Sequence, residues 1–486
     1  MQSVSAGLVY LSLATAILLG AFVAVGVNAT VGLLLGVVLT IAILLRPILG
    51  LALTVVTNVM SPLLGSFDFS GLGLTLPRVT GAITVLSWFL WLVWRREKIP
   101  FPPHLVPLAA FLGAIAFSLA TKPDRMQSII GAYLVMVGVV LYLLMGSLPN
   151  RKADLLLVVA VVWSMGLVSS AIGLVQYVAP QFTILQNTEG GLDVGEGAVV
   201  DEDSVSSGPI KRVTGGLGDA NQFAYTLVSI MPLGMFWWRR QESQNLRWLV
   251  ILVVIVQLGG LALSYSRSGF IALACSVLFL TWKRHLPVSL VLPGALAACL
   301  AALVILPGFA ERIFSVSYLK EGSTQIRKDI LADTLAIIRE NWVTGIGYGE
   351  LGPRIYGQPR SGYAQEMADQ IDLESPEIHN TGAHNLVLEV WVEYGIVGLI
   401  PYLAFLILLI LEVDRLSRST DPFTSDLATA LLAGIVAFLV CGMFGHAKSL
   451  KVFWLLAGMA VALRYARWRV ESPLEIEAPP ALVTRS

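Results

Sequence analysis

The sequence predicts an all-α polytopic membrane protein, with about fourteen transmembrane helices and a large periplasmic loop containing an amphipathic helix. Three observations lead there. Hydrophobic residues make up 56% of the 486 and charged residues only 13%, with a mean hydropathy of +0.77; a soluble domain carries about 25% charged residues. The apolar runs are about 17–25 residues long, enough to cross roughly 30 Å of hydrocarbon as helices, and lack the alternation over about ten residues of a membrane β-barrel. Basic residues also cluster in alternate connections, as the positive-inside rule requires.

In chain order the expected spans lie near 6–27, 29–46, 48–63, 79–95, 104–120, 126–146, 153–179, 219–238, 246–264, 266–282, 287–307, 385–412, 426–444 and 449–466. The first apolar run has no basic segment before it and reads as a membrane helix rather than a cleaved leader. With the N-terminus in the cytoplasm, five basic groups fall on the cytoplasmic side: Arg95/Arg96/Lys98, Arg151/Lys152, Arg239/Arg240/Arg247, Lys283/Arg284 and Arg415/Arg418. Arg464, Arg467 and Arg469 join them, so both termini are expected to be cytoplasmic.

The chain divides into N-terminal membrane helices over 1–307, a large outer loop over 308–384, C-terminal membrane helices over 385–466, and a tail over 467–486 expected to be disordered. A second outer loop, 180–218, is acidic and Gly-rich ("EGGLDVGEGAVVDEDSV") and is expected to be mobile. Within the large loop, "QIRKDILADTLAIIREN" (325–341) sets Ile326, Ile330, Leu331, Ile337 and Ile338 along one side of a helix, with Leu335 off the stripe. Such a helix lies on the bilayer surface or packs over the membrane domain. The three cysteines, Cys275, Cys299 and Cys441, sit in apolar runs without metal-ligand spacing and read as buried hydrophobes. A formal net charge of +0 says nothing about partners, and no nucleic-acid partner is expected.

Charge at a membrane edge is costly and each instance needs a reason. Arg78, Arg212, Arg267 and Arg327 all fall on the outer side of this topology, against the positive-inside rule. A guanidinium cluster there suits a diphosphate or sulfate, which Arg grips through a bidentate fork. The bland alternative for each is lipid phosphate or a neighbouring acid. Arg267 is the strongest of the four, because it interrupts two apolar runs with no acid nearby in sequence. "RVTGGLGDANQFA" (212–224) joins Arg212 to a Gly-rich turn, with Asp219 and Asn221 as helix caps and a helix N-terminus that offers N–H groups to an anion. "GIGYGE" (345–350) resembles a dinucleotide fingerprint only superficially, and its glycines read as turn formers.

Of the five histidines, His104 and His285 read as interfacial, at cytoplasmic span ends, and His379 lies in an acidic loop end. His446 lies near the outer end of a late span, with Lys448 and Lys451 beyond it. His384, followed by Asn385, stands where loop becomes span on the face that carries the arginines. A lone His there is ordinarily a cap, but an imidazole with a pKa near about 6.5 also suits removal of a proton from a sugar hydroxyl. Glu389 and Glu393 follow on the helix; Glu393 is expected to pair with an Arg or to sit buried and neutral.

Taken in order, "RVTGGLGDANQFA", "SYSRSGFIAL", "GIGYGE" and "AHNLVLEVWVEYGIVGLI" resemble the bacterial O-antigen ligase/polymerase superfamily, over roughly 205–400. The resemblance implies a membrane-embedded, C-type glycosyltransferase that takes a glycan from undecaprenyl diphosphate on the outer face of the inner membrane. It implies inversion at the anomeric carbon with no metal and no cofactor. Carried onto this chain, His384 becomes the general base, and Arg212 and Arg267 hold the donor diphosphate with Arg327 as a further partner. Arg78 matches no motif of the family, and Asp219, Asn221, Asn385 and Glu393 are supporting candidates.

The leading reading is a polysaccharide polymerase that transfers the glycan to a hydroxyl of another lipid-linked repeat unit. The alternative is an O-antigen ligase acting on lipid A core or protein. The chain has more expected spans than the ligases of the superfamily, which sets the polymerase first. Implied partners are the lipid-linked donor, a glycan or lipid acceptor, membrane lipids and, as a candidate, a chain-length regulator. A small-anion transporter is the rival from another class; paired halves and broken helices, its expected marks, are not seen in the sequence pattern.

Overall fold

The computed structural model describes residues 29–59, 76–95, 99–122, 125–179, 212–289, 293–294, 323–362, 364–365, 378–448 and 450–465. The expected span 6–27, nearly all of 287–307, most of the acidic loop 180–218, the tail 467–486 and Cys299 lie outside the described residues.

The helices are α1 (Ala29–Leu45), α2 (Pro47–Val59), α3 (Leu76–Arg95), α4 (Leu105–Thr121), α5 (Arg125–Ser147) and α6 (Lys152–Val178). They continue with α7 (Ala220–Ile230), α8 (Pro232–Arg240), α9 (Gln244–Ser264), α10 (Arg267–Trp282), α11 (Ser323–Glu340) and α12 (Leu351–Gly357). The last three are α13 (Leu386–Ser417), α14 (Pro422–Gly442) and α15 (Lys451–Tyr465). Among the described residues, six helices are long and apolar enough to cross a membrane, and shorter apolar helices fill other expected positions. The span expected at 219–238 is two helices, α7 and α8, divided at Met231–Pro232, where the ring of Pro232 suits a first helical turn.

The bundle is organised on α14, which packs against α7, α8, α10, α13 and α15. Its buried face carries Ala428, Ala430, Ala433 and Ala437, small residues that let neighbouring backbones approach closely.

The helix ends sort onto two faces. At one, Arg239 Nε lies 2.9 Å from Asp426 and Lys283 Nζ 2.5 Å from Asp414. There Glu412 also lies 3.1 Å from both His104 Nδ1 and Arg464 Nη1. His104 is fully buried rather than interfacial, its other ring nitrogen 2.7 Å from the Tyr142 hydroxyl; a titratable group at that depth needs both partners. The opposite face collects the helix ends at Lys122, Ala220, Ser264, Arg267, Leu386, Gly442 and Lys451. It is called the His384 face below.

α13 is not one continuous helix, as the sequence pattern had it. Gly395 sits at φ 63°, ψ −168°, and breaks it about 14 Å along from Leu386, at 1.5 Å per residue. A break at this depth leaves backbone groups that lipid cannot satisfy. The segment 342–347 fills the gap. Ile346 and Gly347 donate their N–H groups to the carbonyls of Val392 and Glu393 at 2.8 and 3.0 Å. Ile396 and Val397 donate to the carbonyls of Trp342 and Val343 at 2.9 and 3.3 Å. The close approach explains Gly345, φ 66°, where any Cβ would overlap the Glu393 backbone. The "GIGYGE" glycines are therefore turn formers, as expected, but their turn is inserted into a helix.

α11 packs over α13 rather than standing apart from it. Ile330, Ile337 and Ile338 join Ile346, Leu351, Ile355 and Val392 in a second small core. Leu331, placed on the buried stripe by periodicity, is exposed alongside Leu335. Asp333 and Thr334 are buried instead, with Asp333 accepting from Ser361 Oγ at 2.7 Å.

Substituting Gly395 by Ala forces a side chain into a left-handed conformation against the Val343 backbone. The expected cost is about 1–3 kcal/mol or more, read as a lowered thermal midpoint in detergent. Gly113→Ala on α4, where a Cβ meets open space, is expected to be neutral or mildly stabilising.

Candidate functional site

The arginine half of the site is built from two chain reversals. The loop 212–219 is held to α6 by Gln176, whose Oε1 accepts from the N–H groups of Thr214 and Gly215 at 3.2 and 3.0 Å. Ser169 Oγ donates to the Gly215 carbonyl at 2.6 Å. The loop ends at Asp219, which caps α7 by accepting from Gln222 N–H at 2.6 Å. The cap is the one expected of Asp219, and it takes one of the N–H groups at this helix terminus, that of Gln222. The second reversal joins α9 to α10 through Tyr265, at φ 51°, and Ser266, whose hydroxyl accepts from Gly269 N–H to cap α10.

Arg212 links the two. Its Nε donates to the Ser264 carbonyl at 2.9 Å and its Nη2 to Asn221 Oδ1 at 2.8 Å. Ser266 Oγ donates to the same Asn221 oxygen at 2.9 Å. Asn221 therefore does not cap the helix; it orients the guanidinium. Arg267 follows Ser266 directly and is half-buried at the first turn of α10. Arg327 on α11 is half-buried and lies close enough to act electrostatically on the Tyr225 hydroxyl. Arg78 stands half-buried at the first turn of α3. Thr80, two residues on, meets Thr57 of α2 at 3.1 Å, and the end of α2 reaches Lys451 through Asn58 at 3.0 Å. Arg78 thus shares the face by way of α2.

The histidine half begins at the N-terminus of α13. Asn385 caps it, its Oδ1 accepting from Val387 and Leu388 N–H at 3.0 and 3.1 Å. His384 precedes the cap at φ 48°, a left-handed conformation that costs a non-glycine residue energy and recurs at functional sites. Its ring centre lies 4.4 Å from that of His446. Glu389 Oε2 lies 3.7 Å from His446 Nδ1, and Glu389 Oε1 3.4 Å from Lys448 Nζ. Lys448 also pairs closely with Glu393 and lies 4.5 Å from the centre of the Tyr348 ring. Glu393 is thus buried, as one of the two expectations had it, and its partner is a lysine rather than an arginine. Burial alone lowers the pKa of Lys448, but Glu393 and Glu389 together raise it above the ordinary lysine range, so the ammonium stays charged.

The halves meet at Tyr225. Its hydroxyl lies 2.9 Å from Ser268 Oγ and rests against Gly445, next to His446. A cavity of about 100 Å³ lies between α2, α5, α6, α7 and α15. Its walls include Leu141, Met165, Leu227 and Leu455, with Gln222 and Lys451 as polar groups. His379 is not part of an open loop end; its Nδ1 lies 3.0 Å from the Gly349 carbonyl.

Sequence reasoning missed Tyr225, Ser266, Ser268, Glu389 as an ion-pair partner, His446 and Lys448. A buried lysine next to a histidine at a span end was the available signal for the last pair, since such groups are costly unless paired.

The fold and site together define a polytopic helical membrane protein with a histidine and several arginines gathered at one face. Residues 252–403 match the family described as O-antigen ligase. Over those residues, about a third of the chain, the protein is similar to that family. Comparison with curated proteins gives no match.

Lys448→Met leaves Glu389 and Glu393 buried without their counter-charge. The expected loss is about 3–5 kcal/mol, and adding Glu393→Gln should restore part of it. Thermal unfolding of both proteins in detergent checks the coupling; an unaltered Lys448→Met midpoint contradicts the pairing.

Proposed function

We propose that the chain is a polysaccharide polymerase. It transfers a glycan from undecaprenyl diphosphate to a hydroxyl of another lipid-linked repeat unit, on the periplasmic face of the bacterial inner membrane, with both termini in the cytoplasm. One observation carries the reading: His384, held in a left-handed conformation, shares a face with Arg212 and Arg267, and Tyr225 bridges the two halves.

In this reading His384 removes the acceptor proton as the hydroxyl attacks the anomeric carbon. Arg212 and Arg267, with Arg327, stabilise the charge that grows on the departing diphosphate. Arg212 is pre-oriented by Asn221 and the Ser264 carbonyl, so little reorganisation accompanies the reaction. The largely apolar cavity lined by α7 is suited to part of the polyprenyl chain. The membrane edge is the right height for a reaction between a polar glycan and its lipid carrier.

The second reading is a ligase with the same donor site and a lipid A core or protein acceptor, favoured by the description of the matched family. The transporter's expected broken helix is present at Gly395, but protein fills that break.

Purified protein in liposomes, given lipid-diphosphate-linked repeat units and no other acceptor, is expected to produce a ladder of lengthening products. Transfer only after a core lipid or peptide is added would make it a ligase. His384→Ala is expected to lower transfer by about 10²–10⁴-fold while leaving lipid-diphosphate binding nearly intact. Arg267→Ala is expected to weaken binding as well. Near-normal turnover by the His384 variant would exclude the general-base role.

A further inference from the structure

A second imidazole stands beside His384, and the transfer described above gives it no role. His446 lies on the segment between α14 and α15, its ring inclined 48° to that of His384 at a centre-to-centre distance of 4.4 Å. Each element around it contributes a group. The 381–385 segment brings His384 and Gly382, the latter so close that a Cβ there would overlap the His446 ring. α13 brings Glu389, 3.7 Å from His446 Nδ1, and one turn further on Glu393. Lys448, on the same segment as His446, lies between the two carboxylates and over Tyr348 of the inserted loop. α7 brings Tyr225 against Gly445, and Arg327 of α11 acts on Tyr225 from further away.

Glu389 and Glu393 are buried on either side of Lys448. Glu389 is also the acid that faces the imidazole pair, 3.7 Å from His446 Nδ1. A carboxylate at that distance favours a positive charge on the rings, the charge that forms when His384 takes the acceptor proton.

We propose that His446 is a positioning residue for His384: it fixes the ring against which it packs and shares the proton that ring accepts, with Glu389 offsetting the charge. The proposal rests on the reading of His384 as general base. In the step itself, the acceptor O–H proton passes to His384 and the oxygen forms the new bond to the anomeric carbon. The bond from that carbon to the diphosphate oxygen breaks, and its electron pair leaves with the diphosphate. The proton, shared across the two rings, passes to water after product departs.

The full-length protein in liposomes provides the test, with transfer measured against pH. His446→Gln is expected to lower kcat by about 10–100-fold with little change in KM. The same variant should move the acid limb of the profile down by about one pH unit, because His384 loses the partner that stabilises its protonated form. Gly382→Ala, which keeps both imidazoles but displaces His446, should shift the limb the same way by less. Retained binding of the lipid diphosphate shows that each variant is folded.

A second measurement needs no turnover. Carbethoxylation of His384 by diethyl pyrocarbonate, followed by peptide mass spectrometry across pH, reports its neutral fraction directly. In His446→Gln that fraction should persist to lower pH. A folded His446→Gln protein with the parental rate profile and parental His384 reactivity would overturn the proposal. If instead His384→Ala keeps its turnover, the general-base reading fails, while the carbethoxylation shift still reports whether the two rings are coupled.

Discussion

The structure depends most on the interruption of α13 at Gly395. A helix broken inside an apolar bundle exposes carbonyl and amide groups that lipid cannot satisfy. Here residues 342–347 supply the missing partners, four hydrogen bonds on the two sides of the break. The consequence reaches the site. The Glu393 carbonyl accepts from the inserted loop while its side chain meets Lys448, so one residue ties the loop, the helix and the α14–α15 connection together. Tyr348 of the same loop lies against Lys448 from another side. The loop that mends the helix therefore also fixes the charged network beneath His384.

The two faces of the bundle use charge differently. On the face opposite His384, acids and bases pair closely: Arg239 with Asp426, Lys283 with Asp414, and His104 and Arg464 with Glu412. These pairs tie helix ends together. On the His384 face the polar groups converge on a small region between α7, α10 and the start of α13. Arg212 is oriented there by the Ser264 carbonyl and the Asn221 side chain.

Much of the fold was legible because burial in lipid writes a strong pattern. Runs of Leu, Val and Ile give the positions of α4, α5, α6, α9 and α14 to within a few residues. The break in α13 was not legible, because "VEYGIVG" continues an apolar run and a single Gly inside a helix is tolerated. Its cause is the insertion of residues far away in sequence. The buried face of α11 was legible at Ile330, Ile337 and Ile338, and failed at Leu331, because that helix packs over the inserted loop as well as α13. At the candidate site, His384, Arg212, Arg267 and Asn221 are proposed from local pattern and family resemblance. His446, Lys448 and Tyr225 were not, since only the packing of α7 and the α14–α15 connection brings them there.

The central claim is that the arginine and histidine halves act on one ligand. A cryo-EM structure of the protein in lipid nanodiscs with a non-transferable lipid diphosphate tests it most directly. The account predicts density for the diphosphate against Arg212 and Arg267, with the carrier chain entering beside α7 and His384 facing the sugar-bearing carbon. Diphosphate density at the opposite face, or anywhere out of reach of both His384 and Arg267, would contradict it.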